Sequence, residues 1–277
     1  MTLLITTPRG KVGSELVRLL QAQGVPLRLG AHSVAATRSA FPGLEVVPLD
    51  YHNAASVEAA VRGVRAIYLA SPGDSPAEPE QRLVDAAKHA GAKKVVKLSA
   101  LGADRADAPL RRVERHVEDS GLAWTILRPN WFFQNFSTSQ ADTIRDGTIT
   151  EPAGEGKTSF LDTRDIAAVA ALALTTPKHE GRAYTLTGAE ALDRREVADV
   201  FARELDRPIT YVSLSDEQFR AALRNVVPAG YLELLSGLYA DVRAGATALV
   251  TDDVEQVLGR PPISLAQFVR DHRPVWR

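Results

Sequence analysis

Over roughly the first 130 residues, short runs of β-branched and other apolar side chains alternate with longer stretches in which apolar positions recur every three or four residues. The short runs, at residues 3–6, 26–31, 44–48, 66–70, 94–98 and 124–127, read as strands. The longer stretches, at about 11–23, 53–62, 79–90 and 110–120, read as amphipathic helices. Strands separated by helices of this length need crossover connections, and right-handed crossovers build a parallel sheet covered on both faces. The pattern predicts an α/β fold, a doubly wound parallel sheet of the Rossmann type. Beyond about residue 132 the alternation turns irregular: helix at 162–176, strand at 183–187, helix at 193–205, strand at 209–213, a mostly helical stretch at 215–244 broken at Pro228, and a closing segment at 265–272. No change of composition and no Ser/Gly/Pro-rich linker separates the halves. The expected organisation is a doubly wound core at 1–132 and a smaller, mainly helical lobe at 133–277, partly interleaved with it.

Composition narrows the function more than it names it. With 277 residues, 45% hydrophobic and 24% charged, the chain can bury a sizeable core. A net charge of −1 offers no general case for nucleic-acid binding. The absence of cysteine removes disulfides, thiolate metal sites and cysteine nucleophiles, and suits a reducing compartment. The chain enters a strand pattern at once, without a leader-like apolar region, and has no run long enough to span a bilayer, so a cytoplasmic location is expected.

The candidate chemistry lies at the strand tips. Leu3-Leu4-Ile5-Thr6-Thr7-Pro8-Arg9-Gly10-Lys11-Val12-Gly13 reads as strand, glycine-containing loop and helix N-terminus, the geometry that holds a phosphate. In an open doubly wound sheet, ligands bind beyond the carboxyl ends of the strands, at the point where strand order reverses. The other tips are Ala31-His32-Ser33, Asp50-Tyr51, Ala70-Ser71-Pro72-Gly73, Ser99-Ala100-Leu101-Gly102 and Arg128-Pro129-Asn130-Trp131.

Val95-Val96-Lys97-Leu98-Ser99-Ala100-Leu101-Gly102 and the run from Gly121 through Thr125-Ile126-Leu127-Arg128-Pro129-Asn130-Trp131 to Asn135 resemble the NmrA-like group of atypical short-chain dehydrogenases. Leu69-Ala70-Ser71-Pro72, Phe160-Leu161-Asp162-Thr163-Arg164-Asp165 and Tyr184-Thr185-Leu186-Thr187-Gly188 match the same group, as does the tail at 254–269, so the resemblance covers essentially the whole chain. It implies a dinucleotide cofactor at Thr7, Arg9, Gly10, Lys11, Val12, His32, Asp50, Ala70, Ser71, Pro72, Ser99 and Pro129, and a small-molecule substrate against Asn130, Trp131 and Phe132. The group includes NAD(P)H-dependent quinone, azo-dye and triphenylmethane reductases and non-catalytic dinucleotide-sensing regulators. The chain departs from the group's glycine loop at Thr7, where the first glycine belongs, and Pro8 removes a possible donor. A steric cost of ~1.4 kcal/mol there would weaken the cofactor about tenfold.

The second strand tip carries no carboxylate to accept from a ribose 2′-hydroxyl, and Arg9, His32 and Ser33 could hold a 2′-phosphate, so NADP is the expected cofactor. Asp50 has the alternative of capping the next helix. Phe133 and Phe136 are expected in the core. No tyrosine has a lysine four residues on; Tyr239 followed by Arg243 comes nearest. No catalytic acid is assigned, which suits hydride transfer to a quinone-like or otherwise unsaturated acceptor protonated from solvent. Glu114 and His116 lie two apart on a helix and should face apart, as surface or hinge residues. Lys97 and Ser99 are expected on opposite faces of the fifth strand, with Ser99 a donor to ligand. No metal-ligand spacing and no G-x-S-x-G elbow occurs. Two readings stand beside the reductase: a dinucleotide sensor, and a redox-neutral enzyme, such as a cyclase or isomerase, on a scaffold with a weakened cofactor loop. Substrate identity and oligomeric state are not encoded legibly.

Overall fold

In the computed structural model, which describes residues 2–71 and 77–277, the alternation becomes one large sheet. In chain order the first elements are β1 (Thr2–Thr6), α1 (Lys11–Ala22), β2 (Leu27–Ala31), α2 (Val34–Ala40), β3 (Glu45–Pro48), α3 (Ala54–Val61), β4 (Val64–Leu69), α4 (Ala77–His89), β5 (Lys94–Leu98), α5 (Arg111–Asp119) and β6 (Ala123–Pro129). There follow α6 (Ala141–Arg145), β7 (Thr148–Glu151), α7 (Thr163–Thr175), β8 (Arg182–Leu186), α8 (Arg194–Leu205), β9 (Thr210–Ser213), α9 (Asp216–Leu223), α10 (Ala229–Arg243), α11 (Asp253–Leu258) and α12 (Leu265–Asp271). The large sheet has seven strands in the order β3-β2-β1-β4-β5-β6-β8, and the ladders from β3 to β6 are parallel. The chain moves outward from β1 to β3, then returns to place β4 on the other side of β1. The reversal of strand order therefore falls between β1 and β4, the position at which such sheets take their ligands.

Two compact units emerge, residues 1–129 with 163–185, and residues 130–162 with 186–277. In the first, one sheet face is buried by α3, α4 and α5 through Val57, Leu83, Val84, Val113 and Val117 against Leu4, Ile67 and Val95. On α1 the buried residues Val12, Leu16, Val17 and Leu20 recur at helical spacing. That helix packs on α7, whose Ile166, Ala167, Val169, Ala170, Ala173 and Leu174 are buried almost all round. In the second unit an aromatic core joins Phe133, Phe136, Phe160, Phe201, Phe268 and Trp276. Asp193 and Glu196 form a reciprocal capping box at the start of α8. Pro228 stands at the N-cap of α10, so the break expected there is real.

The pattern passed over α2, α6, β7 and α11. Each is short, at 7, 5, 4 and 6 residues, and too brief for a period to register. Lys97 and Ser99 do not diverge. Residues two apart share a face of a strand, and both side chains turn to the helices of one layer, Lys97 to Glu80 on α4 and Ser99 to Glu114 on α5.

Candidate active site

The turn after β1 is tighter than a glycine pair alone would make it. The Thr7 carbonyl accepts the Gly10 N–H at 2.9 Å, closing a four-residue turn, and a β-carbon on Gly13 would stand 2.3 Å from that same oxygen. Only glycine tolerates that approach. Thr7 itself has φ of +46°, the left-handed region that the family's glycine would occupy without cost. A β-branched side chain is rarely found there, so Thr7 holds a conformation that a glycine would take without strain.

Beyond the turn, α1 begins without a side-chain cap and without an acidic residue in its first turn. Its first intrahelical bond runs from Ser14 N–H to the Gly10 carbonyl at 2.9 Å, which leaves the Val12 and Gly13 N–H groups with no acceptor in the helix. Arg9 and Lys11 are exposed at this positive end, the opposite of the charge arrangement that stabilises a helix terminus. A bound anion would reconcile both features.

At the neighbouring tips, His32 and Ser33 are exposed after β2. Asp50 does not cap α3. That role falls to Asn53, which accepts the Ser56 N–H, while Asp50 accepts the His52 N–H at 2.9 Å. At the end of β4, Ala70 is held by Thr6, whose hydroxyl oxygen accepts the Ala70 N–H at 2.8 Å, and by Tyr51, whose hydroxyl donates to the Ala70 carbonyl at 2.7 Å. Burial pushes the Tyr51 phenol well above its ordinary pKa, so it stays a neutral donor. Ser71 donates to Glu80 at 2.6 Å. Pro72 lies outside the described residues.

Two expected ligand groups are already committed. Ser99 donates its hydroxyl proton to Glu114 at 2.7 Å. Glu114, expected at the surface, is fully buried and accepts two hydrogen bonds from Arg128, at 3.0 and 2.8 Å, and one from Arg111 at 3.0 Å. His116 faces elsewhere, to Asp85 at 2.8 Å, so the two indeed diverge. Asn130 is a strut of the second unit. Its amide nitrogen donates to Ser159 at 2.7 Å and to the Thr247 carbonyl at 2.8 Å, and its oxygen accepts the Trp131 N–H at 2.9 Å. Pro129 is buried, and its carbonyl accepts the Leu101 N–H at 3.0 Å.

In the second unit Trp131 and Phe132 remain partly exposed, whereas Phe133 and Phe136 are core as expected. Trp131 packs on Tyr239 at 5.0 Å between centroids and beneath the Arg194 guanidinium at 5.7 Å. Arg194 is fully buried, donates to Glu151 at 2.5 Å and to Thr158 at 2.8 Å, and lies 4.7 Å over Phe160. Burial, reinforced by the Glu151 charge, raises the Tyr239 phenol well above its ordinary pKa. In the sequence Tyr239 stands out only as a tyrosine with Arg243, not a lysine, four residues on. Among the described residues no cluster of three or more His, Asp or Glu side chains could hold a metal ion. No described helix is long and apolar enough to cross a membrane.

An uncapped helix start at the switch of a parallel sheet has the geometry of a dinucleotide fold, and comparison with known proteins shows the family: the model of an NAD(P)H-binding family matches residues 9–177. The chain belongs to this NAD(P)H-binding family. It is 35% identical to the NAD(P)H azoreductase of Xenophilus azovorans over 98% of the chain and 97% of that enzyme. Its fold superimposes with a TM-score of 0.85 on the NADPH-dependent quinone oxidoreductase of Escherichia coli complexed with NADPH, at 27% identity over 97% and 99% of the two chains. The regulator NmrA in complex with NADP shares the fold alone, at TM-score 0.79 and 20% identity over 99% and 95% of the two chains.

Two outcomes follow from this geometry. Left-handed strain of about 1–2 kcal/mol at Thr7 outweighs the roughly 0.5–1 kcal/mol entropy penalty of glycine, so Thr7→Gly should stabilise the fold by up to about 1 kcal/mol in urea unfolding. Gly13→Ala should cost about 1–3 kcal/mol, because the carbonyl it meets is already held by Gly10. The second outcome concerns acid. Burial alone would raise the Glu114 pKa, but the hydrogen bonds from Arg128 and Ser99 carry it below the ordinary value of 4.5. A depressed carboxylate pKa contributes stability that is complete above about pH 4.5 and is lost as pH falls further. Unfolding midpoints measured from neutral pH down to about pH 3 should therefore fall more for the natural protein than for Glu114→Gln.

Proposed function

We propose that this protein is an NADPH-dependent reductase of small conjugated acceptors, quinone-like or azo compounds, acting by hydride transfer. The observation that carries the reading is the start of α1: an uncapped helix end, free of acid, flanked by two basic residues and reached through Gly10 and Gly13, the second of which leaves no room for a β-carbon. These residues fit a pyrophosphate, with Val12 and Gly13 offering N–H groups and Arg9 and Lys11 the charge. The fold, the family and the full-length likeness to an azoreductase and a quinone oxidoreductase support the same chemistry.

NADPH is favoured over NADH because the β2 tip presents His32 and Ser33 and no carboxylate. The Ala70–Ser71 tip and Pro129 border the nicotinamide side. Bound NADPH supplies the hydride. The protein contributes orientation of the cofactor, and no side chain need surrender a proton. A quinone or azo acceptor takes its protons from water, which makes the missing Tyr-x-x-x-Lys pair no handicap.

In a thermal-shift titration NADPH should raise the unfolding midpoint, by the equivalent of about 2.7 kcal/mol at a hundredfold excess over Kd, with NADH doing so more weakly. Oxidation of NADPH should then depend on added quinone or azo dye. Lys11→Ala should raise the NADPH Kd about tenfold, the loss of one charge-assisted contact. A protein that binds neither dinucleotide would favour the redox-neutral reading, in which the Thr7 loop has given up its ligand.

A further inference from the structure

Tracing the polar contacts of the β4 tip leads into the protein interior. Ser71 donates to Glu80 Oε1 at 2.6 Å, and the same oxygen accepts from Lys97 Nζ at 2.8 Å. Glu80 and Lys97 are each only 1% exposed, and Glu80 Oε2 makes no hydrogen bond. A buried ion pair is seldom more stabilising than a well-packed apolar pair of the same volume, and an orphaned carboxylate oxygen makes this one poorer still. Stability does not account for it.

The same triad recurs one βαβ unit along. Ser99 follows β5 as Ser71 follows β4; Ser99 donates to a glutamate of the next helix, Glu114, and that glutamate is ion-paired to a cation of the next strand, Arg128. In both units a strand-tip serine, a helix carboxylate and a basic residue of the following strand are joined in that order. What the arrangement fixes is the chain leaving the strand.

We propose that Lys97 and Glu80 are positioning residues for the dinucleotide site. Lys97 holds the Glu80 carboxylate in place, Glu80 holds the Ser71 hydroxyl, and the β4 tip, clamped from its other side by Thr6 and Tyr51, is thereby presented to the cofactor in one conformation. The inference rests on the reading of this tip as part of an NADPH site.

The experiment compares NADPH affinity, by fluorescence titration of the full-length protein, with thermal midpoints for four proteins. Relative to the natural chain, Lys97→Met should raise the Kd about tenfold or more, because the uncompensated carboxylate abandons its place. Ser71→Ala should raise it by a similar factor with little change in midpoint, which keeps the test informative if Lys97→Met folds poorly. The double variant Lys97→Met with Glu80→Gln has no buried charge but retains an amide oxygen for Ser71, and its Kd should return to within about threefold of the natural value. A merely structural pair would lower the midpoint of Lys97→Met and leave the Kd of both single variants unchanged, and that result would overturn the proposal. A natural protein that fails to bind NADPH would instead overturn the functional reading, and this inference with it.

Discussion

α1 leaves β1 so closely that a β-carbon on Gly13 would collide with the Thr7 carbonyl oxygen, and much of the first unit follows from that approach. It sets the start of α1 directly over the end of β1, beside the reversal of strand order. It also presses α1 toward α7, where a run of alanines accepts a close neighbour. Thr7 bears the strain of the turn, because its carbonyl must point at Gly10 and its φ must be positive whatever side chain it carries.

Carboxylates buried behind the sheet form the second organising feature. Glu80 and Glu114 come from α4 and α5, on the same side of the sheet, and each is neutralised by a base from the strand that follows its helix. Backbone ladders end at the strand tips, so some other force has to define the path of the chain where it turns back into a helix. Side-chain oxygens held in place by fixed charges supply it. The cost is desolvation, and it is borne where a definite loop conformation matters more than stability.

Much of this was legible in the chain. Six short apolar runs and the helical stretches between them were enough for a doubly wound sheet, because period and length together exclude most alternatives. Gly10 and Gly13 marked the loop, and the motif around Thr125-Ile126-Leu127-Arg128-Pro129 named the family. Polar side chains were harder to place. Glu80 and Glu114 look like ordinary surface charges on a helix, and only the tertiary fold decides that they turn inward. A signal did exist: Lys97 interrupts the run Val95-Val96-Lys97-Leu98, and a charge within a central strand needs a buried partner. Asn130 is the converse case. A polar residue beside a predicted pocket invites a ligand, yet a backbone turn can use every hydrogen-bonding group it has.

The charges at the start of α1 bear on whether the loop at Thr7 has been abandoned. Arg9 and Lys11 sit at the positive end of a helix dipole, where basic residues are unfavourable by a few tenths of a kcal/mol each in the absence of an anion. A loop released from phosphate binding would have every physical reason to acquire a Ser, Thr or Asp cap and an acid in the first turn, changes worth about 0.5–2 kcal/mol for the cap alone. This chain has neither. Thr7 carries the strain of a turn that the Gly10 hydrogen bond and the close approach of Gly13 hold shut. The strain at one residue and the uncapped, basic helix end are therefore separable, and the second is the one that describes what the loop can hold.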